Sequence, residues 1–476
     1  MTLDVHETIP AETAEVPPRQ VSQRSRPMLL LERTMYREGD TPFTSVFILK
    51  LVGRFEEARL HDALARVQSK HPLLRCAVEE MASGPRFVLQ EQPSPISLRV
   101  VERHGDDDWQ TEVRREWVTP FSTQRGPLVR FVWLRSSEVS DLIMLAHHCL
   151  CDGHTGVNLL RELLSVYDQP EQDLGTYDEL GSVEDIVPAA LLQDRHFERQ
   201  VRRKVVLFRL LSFLKKFGRR KPAGPHITPE QMYFHRWHLD HSETQGLTSR
   251  CSAEGVTVLA AVSMAFMQAF RDVCGVLALN KTYTMVNARR FLPQLRADAM
   301  FGLVPGIPLL MKDVPPPLDM AVDTFWTRAR AIKADMTVRI DRLGGGLYST
   351  LLTLERMHDK YPSMVADTES APAVRHVTLS NMGRIDLPQQ YRNFRLESVY
   401  SPLVMVSPTP ANTVVLSSFA GQMELAIISD ESSLPYEKAR GIEQRAMQIL
   451  YAAMTVPARK GSKPSSEVSA IRVEAA

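Results

Sequence analysis

His147, His148 and Asp152 are the residues of this chain whose types and spacing suit acid–base chemistry. They stand in the run His147-His148-Cys149-Leu150-Cys151-Asp152-Gly153. Histidine titrates near neutral pH and is the usual proton acceptor for a reaction there. Such a base suits a transferase that deprotonates a nucleophile. A carboxylate four residues on can hold the local geometry. Gly153, with no side chain, permits a tight turn and the close approach of a ligand.

The flanking elements must position these groups. Leu142–His148 reads as a strand, paired antiparallel with Leu128–Leu134 around the polar turn Arg135–Asp141. It is apolar on both faces, as for a strand in the middle of a layer. Side chains alternate along a strand. His148 therefore shares a face with Met144 and Ala146, and His147 shares the other with Ile143 and Leu145. Only one histidine can face a given cavity. The other must pack or hydrogen-bond inside the fold, because a buried imidazole without a partner is costly. Gly156–Asp168 reads as a helix with Val157, Leu160, Leu164 and Tyr167 as its stripe. Its free N-terminal N–H groups turn toward the motif. The competing reading is two satisfied core histidines and an aspartate that caps a helix. A metal site is disfavoured. His147, His148, Cys149, Cys151 and His154 cluster, but the cysteines are too close together for a zinc knuckle and no second ligand pair appears.

The rest of the chain alternates strands and helices. Strands are expected at Ser45–Leu51, Leu74–Val78, Arg86–Leu89 and Leu98–Val101, and helices at Glu56–Ser69 and Asp106–Thr119. A second alternating half carries strands at Phe234–Leu239, Thr282–Asn287, Val374–Ser380, Val414–Phe419 and Met423–Ser429, with a loop and strand in Phe301–Met311. Its helices are expected at Thr257–Arg271, Leu318–Thr337 and Pro435–Met454. This order implies an α/β or α+β protein of two halves with the ligand site between them. The expected divisions are a disordered tail over 1–25, a first subdomain over 26–175 with the histidine motif, a linker over 176–225, a second subdomain over 226–457 and a disordered tail over 458–476.

Composition narrows the class. The 476 residues are 44% hydrophobic and 24% charged, with a net charge of +1. A globular protein with a substantial core follows, without a global pull toward nucleic acid or anionic membranes. Five scattered cysteines argue against a disulfide framework, so a reducing cytoplasm is the simplest setting. The polar, proline-bearing start does not resemble a secretory signal, and no apolar run approaches a bilayer span.

One segment breaks the neutral balance. Arg195–Lys221 interleaves eleven basic residues with Val205, Val206, Phe208, Leu210, Leu211, Phe213 and Leu214, against Glu198 alone. This basic amphipathic stretch suits a membrane surface or an acidic partner, or a linker helix packed by its apolar face. Without an aromatic platform or motif beside it, nucleic-acid binding is not expected.

The HHxxxDG arrangement at a strand-to-helix junction resembles the signature of the condensation-domain superfamily, which includes chloramphenicol acetyltransferase and polyketide-associated and alcohol acyltransferases. The resemblance extends to Gly126-Pro127-Leu128-Val129-Arg130, to His71-Pro72-Leu73-Leu74-Arg75, to Met285–Arg290 with Phe301-Gly302, and to Val377–Ile385. It covers roughly residues 26–455. It implies two chloramphenicol-acetyltransferase-like subdomains in a V with a tunnel between them. It also implies that His148 is the catalytic base, while His147 and Gly153 shape the motif. Asp152 would point away from substrate and pair with Arg289 or Arg290, and Ser380 and Asn381 would lie near the tunnel, supporting an oxyanion. The donor implied is a phosphopantetheine thioester on an acyl carrier protein or coenzyme A, with no bound cofactor. The expected reaction is acyl transfer to a hydroxyl in polyketide or lipid biosynthesis. Amide formation on an amine and a non-catalytic docking role are the alternatives. The expected location is cytoplasmic, or peripheral at a membrane.

Overall fold

The computed structural model describes residues 25–37, 43–177, 182–216, 227–275, 281–296, 298–310, 322–369, 376–406 and 412–455. Residues 1–24 and 458–476 of the expected tails, residues 217–221 of the basic stretch and the start of the helix expected from Leu318 lie outside them, while Ser25, expected in the tail, opens a strand.

The first half runs β1 (Ser25–Pro27), α1 (Leu30–Tyr36), β2 (Phe43–Gly53), α2 (Glu57–Lys70), β3 (Cys76–Glu79), β4 (Arg86–Leu89), β5 (Ser97–Glu102), α3 (Asp108–Trp117), β6 (Val129–Arg135), β7 (Val139–His147) and α4 (Gly153–Asp168). Helix α2 stops at His71 because Pro72 cannot continue the ladder. The hairpin β6–β7 forms as its alternation predicts, and β7 is flanked by β2 and β6, with β5 beyond β6. Its central position explains why Leu142–Ala146 is apolar on both faces.

Two helices bridge to the second half, α5 (Ala189–Gln193) and the basic α6 (Arg195–Lys216). Then follow β8 (Met232–Leu239), α7 (His241–Ala253), α8 (Val258–Cys274), β9 (Lys281–Met285), β10 (Gly306–Leu310), α9 (Val322–Glu355), α10 (Tyr361–Glu369), β11 (Thr378–Arg384), β12 (Phe394–Val399), β13 (Leu403–Val406), β14 (Thr413–Phe419), β15 (Gln422–Asp430) and α11 (Tyr436–Thr455). A second mixed sheet has the order β10-β9-β11-β14-β15-β8. Its alternating faces serve two cores. Val414, Leu416, Leu425 and Ile427 pack with α8, α9 and α11, whereas Val415, Phe419, Ala426 and Ile428 join the core of the first half.

The fold is the expected mixed α/β architecture of two sheet-and-helix halves. Three features correct the sequence reading. First, β12 and β13 leave the second half and pair antiparallel with β2, so residues 394–406 complete the first sheet and 226–457 is not one contiguous unit. Second, α9 runs to Glu355 rather than ending at Thr337, straight through Gly344-Gly345-Gly346. Glycine is a poor helix former, but the missing Cβ of Gly344 admits the Phe291 ring, which would lie 2.5 Å from it. Third, α7 occupies a stretch with no predicted element, held by the cap Asp240, whose Oδ1 accepts from the Glu243 N–H at 2.8 Å.

Candidate active site

Strand β7 ends at His147 rather than His148, which opens the following turn, and the two rings enter different surroundings. The His147 ring packs between Tyr36 and Phe121, with centroids 5.7 and 5.9 Å away. Its Nε2 has no hydrogen-bond partner, and burial pushes its pKa down to about 3. His148 instead lines a cavity of about 740 Å³ between the halves. Its backbone N–H donates to the Phe43 carbonyl at 2.6 Å, pinning the end of β7 to β2.

The His148 side chain has a defined tautomer. Its Nδ1 lies 2.6 Å from the Cys151 carbonyl oxygen. A carbonyl only accepts, so Nδ1 carries the hydrogen and Nε2 keeps its lone pair. Burial lowers the pKa of His148, opposed by the Cys151 carbonyl and the nearby Asp152 charge. The ring is thus kept neutral near pH 7 and can accept a proton.

Asp152 is the N-cap of α4. Its Oδ1 accepts from the Thr155 N–H at 2.8 Å and from the Thr155 hydroxyl at 2.9 Å. Arg289, from the second half, reaches Asp152 Oδ2 through Nε at 3.3 Å and donates Nη2 to Thr155 Oγ1 and the Phe301 carbonyl, each at 2.8 Å. Arg290 is exposed and lies over the Phe291 ring, so the partner of Asp152 is Arg289.

Ser380 and Asn381 stand on the cavity wall formed by β11. Asn381 Oδ1 accepts from the Gly383 N–H at 2.9 Å, where β11 bulges and Gly383 takes φ +67°. The amide oxygen therefore holds the turn. Burial raises the thiol pKa of Cys149 and Cys151, which disfavours either as a nucleophile. Among the described residues no three His, Cys, Asp or Glu side chains gather as a metal site.

Sequence reasoning missed much of the wall. Leu343, Leu347, Leu351 and Leu354 of α9 face the cavity, opposite Leu31 and Met35 of α1. Their spacing of four, four and three residues is a helical stripe and was readable as one. Arg161 and Met382 also line the cavity; nothing in their local sequence marks them.

Residues 28–202 match the family described as the condensation domain. The fold over nine-tenths of the chain agrees: the trichothecene 15-O-acetyltransferase of Fusarium sporotrichioides superposes with a TM-score of 0.69 over 90% of this chain and 96% of that one, at 12% identity. The condensation-domain match thus covers the first part of the chain, and the fold likeness extends over nearly all of it. Polyketide synthase associated protein 5 of Mycobacterium tuberculosis shares the condensation fold at a TM-score of 0.60, with 17% identity over 89% of this chain and 98% of that one. In sequence, surfactin synthase subunit 2 of Bacillus subtilis (strain 168) is 27% identical over 179 residues, 36% of this chain. The chain spans only 5% of that relative's length.

Proposed function

We propose that this condensation-fold protein transfers an acyl group from a phosphopantetheine thioester to a hydroxyl, forming an ester, with His148 as general base. The observation that carries the reading is the His148 tautomer: Nδ1–H is tied to the Cys151 carbonyl and the basic Nε2 is left for the cavity. The acceptor O–H gives its proton to Nε2 as its oxygen attacks the thioester carbon. The tetrahedral intermediate collapses, the C–S bond breaks, and the imidazolium returns the proton to the departing thiolate. We assign the Asn381 amide N–H₂, on the β11 wall, as a donor to the developing oxyanion.

The thioester donor, on coenzyme A or an acyl carrier protein, is supported by the condensation-domain match. The hydroxyl acceptor is supported by the likeness to a protein named as an O-acetyltransferase of similar extent. One observation favours an amine acceptor instead: FmoA3, named as a nonribosomal peptide synthetase, shares the fold at a TM-score of 0.59 over 92% of this chain.

The test is mass spectrometry of products from the purified full chain, supplied with acyl thioesters of graded length and with alcohol and amine acceptors. Ester products with matched thiol release are expected. Amide products alone would replace the ester reading. No acyl transfer from either carrier form to either acceptor would reject the proposal and leave a docking role.

A further inference from the structure

Helix α6 is a poor fit to the rest of the surface. From Val206 to Leu214 its apolar side chains are 47–65% exposed. An ordinary surface helix turns its apolar stripe inward. Here the inward side is a narrow line. Val201 is buried, Val205 packs against the core, Lys204 Nζ donates to Ser349 Oγ of α9 at 2.7 Å, and Arg209 meets Asp359 at 3.0 Å.

At 3.6 residues per turn, the exposed apolar positions sweep an arc of about 220°. A helix that docks into a protein groove presents a stripe of about 100°. An arc twice as wide suits a helix lying half immersed in a bilayer interface. The charges are placed to match. Helix α6 carries eight Lys and Arg residues against Glu198 alone, and Glu198 is already paired with Arg202 and Arg356. At the start of the apolar stretch, His196, Arg199, Gln200, Arg203, Lys204 and Leu207 line a hollow of about 320 Å³ with no carboxylate among the described residues of its wall. Such a hollow suits the phosphate of a lipid headgroup beside the immersed stretch. Among the described residues no single helix is long and apolar enough to cross a membrane, so the contact is peripheral.

We propose that α6 seats the protein on an anionic lipid surface, with its apolar arc in the interface and the basic hollow holding headgroup phosphate. The opposite side of α6 rests on α9, whose leucines line the cavity, so the docked face is one helix away from the candidate site.

The test is co-sedimentation of the full chain with vesicles of phosphatidylglycerol mixed with phosphatidylcholine, and with vesicles of phosphatidylcholine alone. Binding to the anionic vesicles, weakened by salt, is expected. Leu210→Glu with Leu211→Glu should abolish it, and Arg199→Glu with Arg203→Glu should weaken it by about tenfold or more. Both variants should keep the wild-type melting temperature and turnover of a soluble thioester, because these side chains are exposed or distant from the cavity. Absence of vesicle binding would overturn the assignment, as would variants that bind like wild type. Retention by a purified acidic carrier protein without vesicle binding would overturn it in favour of a protein partner.

Discussion

The Met382 thioether occupies the space a side chain on residue 153 would need. A Cβ on Gly153 would overlap Met382 Sδ and Cε. Glycine here leaves room for a neighbour across the cavity and is not set by its backbone angle, since its φ is not in the left-handed region. Met382 comes from β11 and Gly153 from the start of α4, so the pair sets how closely the two walls approach beside His148.

Gly153→Ala should therefore push the Met382 side chain into the cavity. Substrate KM should rise severalfold with little loss of stability, because a methionine tail moves easily. Adding Met382→Ala should restore KM toward wild type. A double variant no better than Gly153→Ala would contradict the steric account.

The ion pair of Asp152 and Arg289 predicts a stability effect. Both groups are buried. Asp152→Ala leaves the guanidinium uncompensated and removes the α4 cap, for a loss of about 3–5 kcal/mol in urea unfolding. Asp152→Asn can still cap and should lose less. Combining Asp152→Ala with Arg289→Met should cost less than the sum of the single changes. Additive losses would show that the two residues act separately.

His147 predicts an acid sensitivity. Its folded pKa of about 3 lies below the unfolded value of about 6.5. Above the unfolded value both states are neutral and the group adds no pH dependence. As pH falls below about 6.5 the unfolded chain takes up a proton that the folded chain refuses, so stability declines down to about pH 3. His148, with its pKa also lowered, adds in the same direction. His147→Phe should flatten the decline in melting temperature on acidification, since a phenyl ring keeps the aromatic contacts with Tyr36 and Phe121 and cannot be protonated. An unchanged slope would show that His147 is not the sensor.

Local pattern carried the sequence reading where neighbours in the chain are neighbours in space. The hairpin β6–β7, the turn at Asp152-Gly153 and the helix α4 are such a case, and the two histidines do lie in different surroundings although β7 ends at the first of them. It failed where partners are remote. Nothing in Phe394–Val406 says that it pairs with β2, more than three hundred residues earlier. The helix expected to end at Thr337 runs on to Glu355 through a glycine triplet, where Gly344 makes room for the remote Phe291 ring. Within the site, the motif pointed to a histidine that lines the cavity, but Met382 and Arg161 reach the cavity only through tertiary packing.

The central claim is that His148 Nε2 takes the proton of the acceptor. The most direct measurement is single-turnover acyl transfer by His148→Ala and His148→Gln beside wild type, with melting temperature recorded for each. A loss of about a hundredfold to ten-thousandfold in both variants is expected, with the folded state retained. Wild-type transfer should hold its rate below the ordinary imidazole pKa of about 6.5, because burial lowers the pKa of this ring. Transfer by either variant within a few fold of wild type would contradict the account.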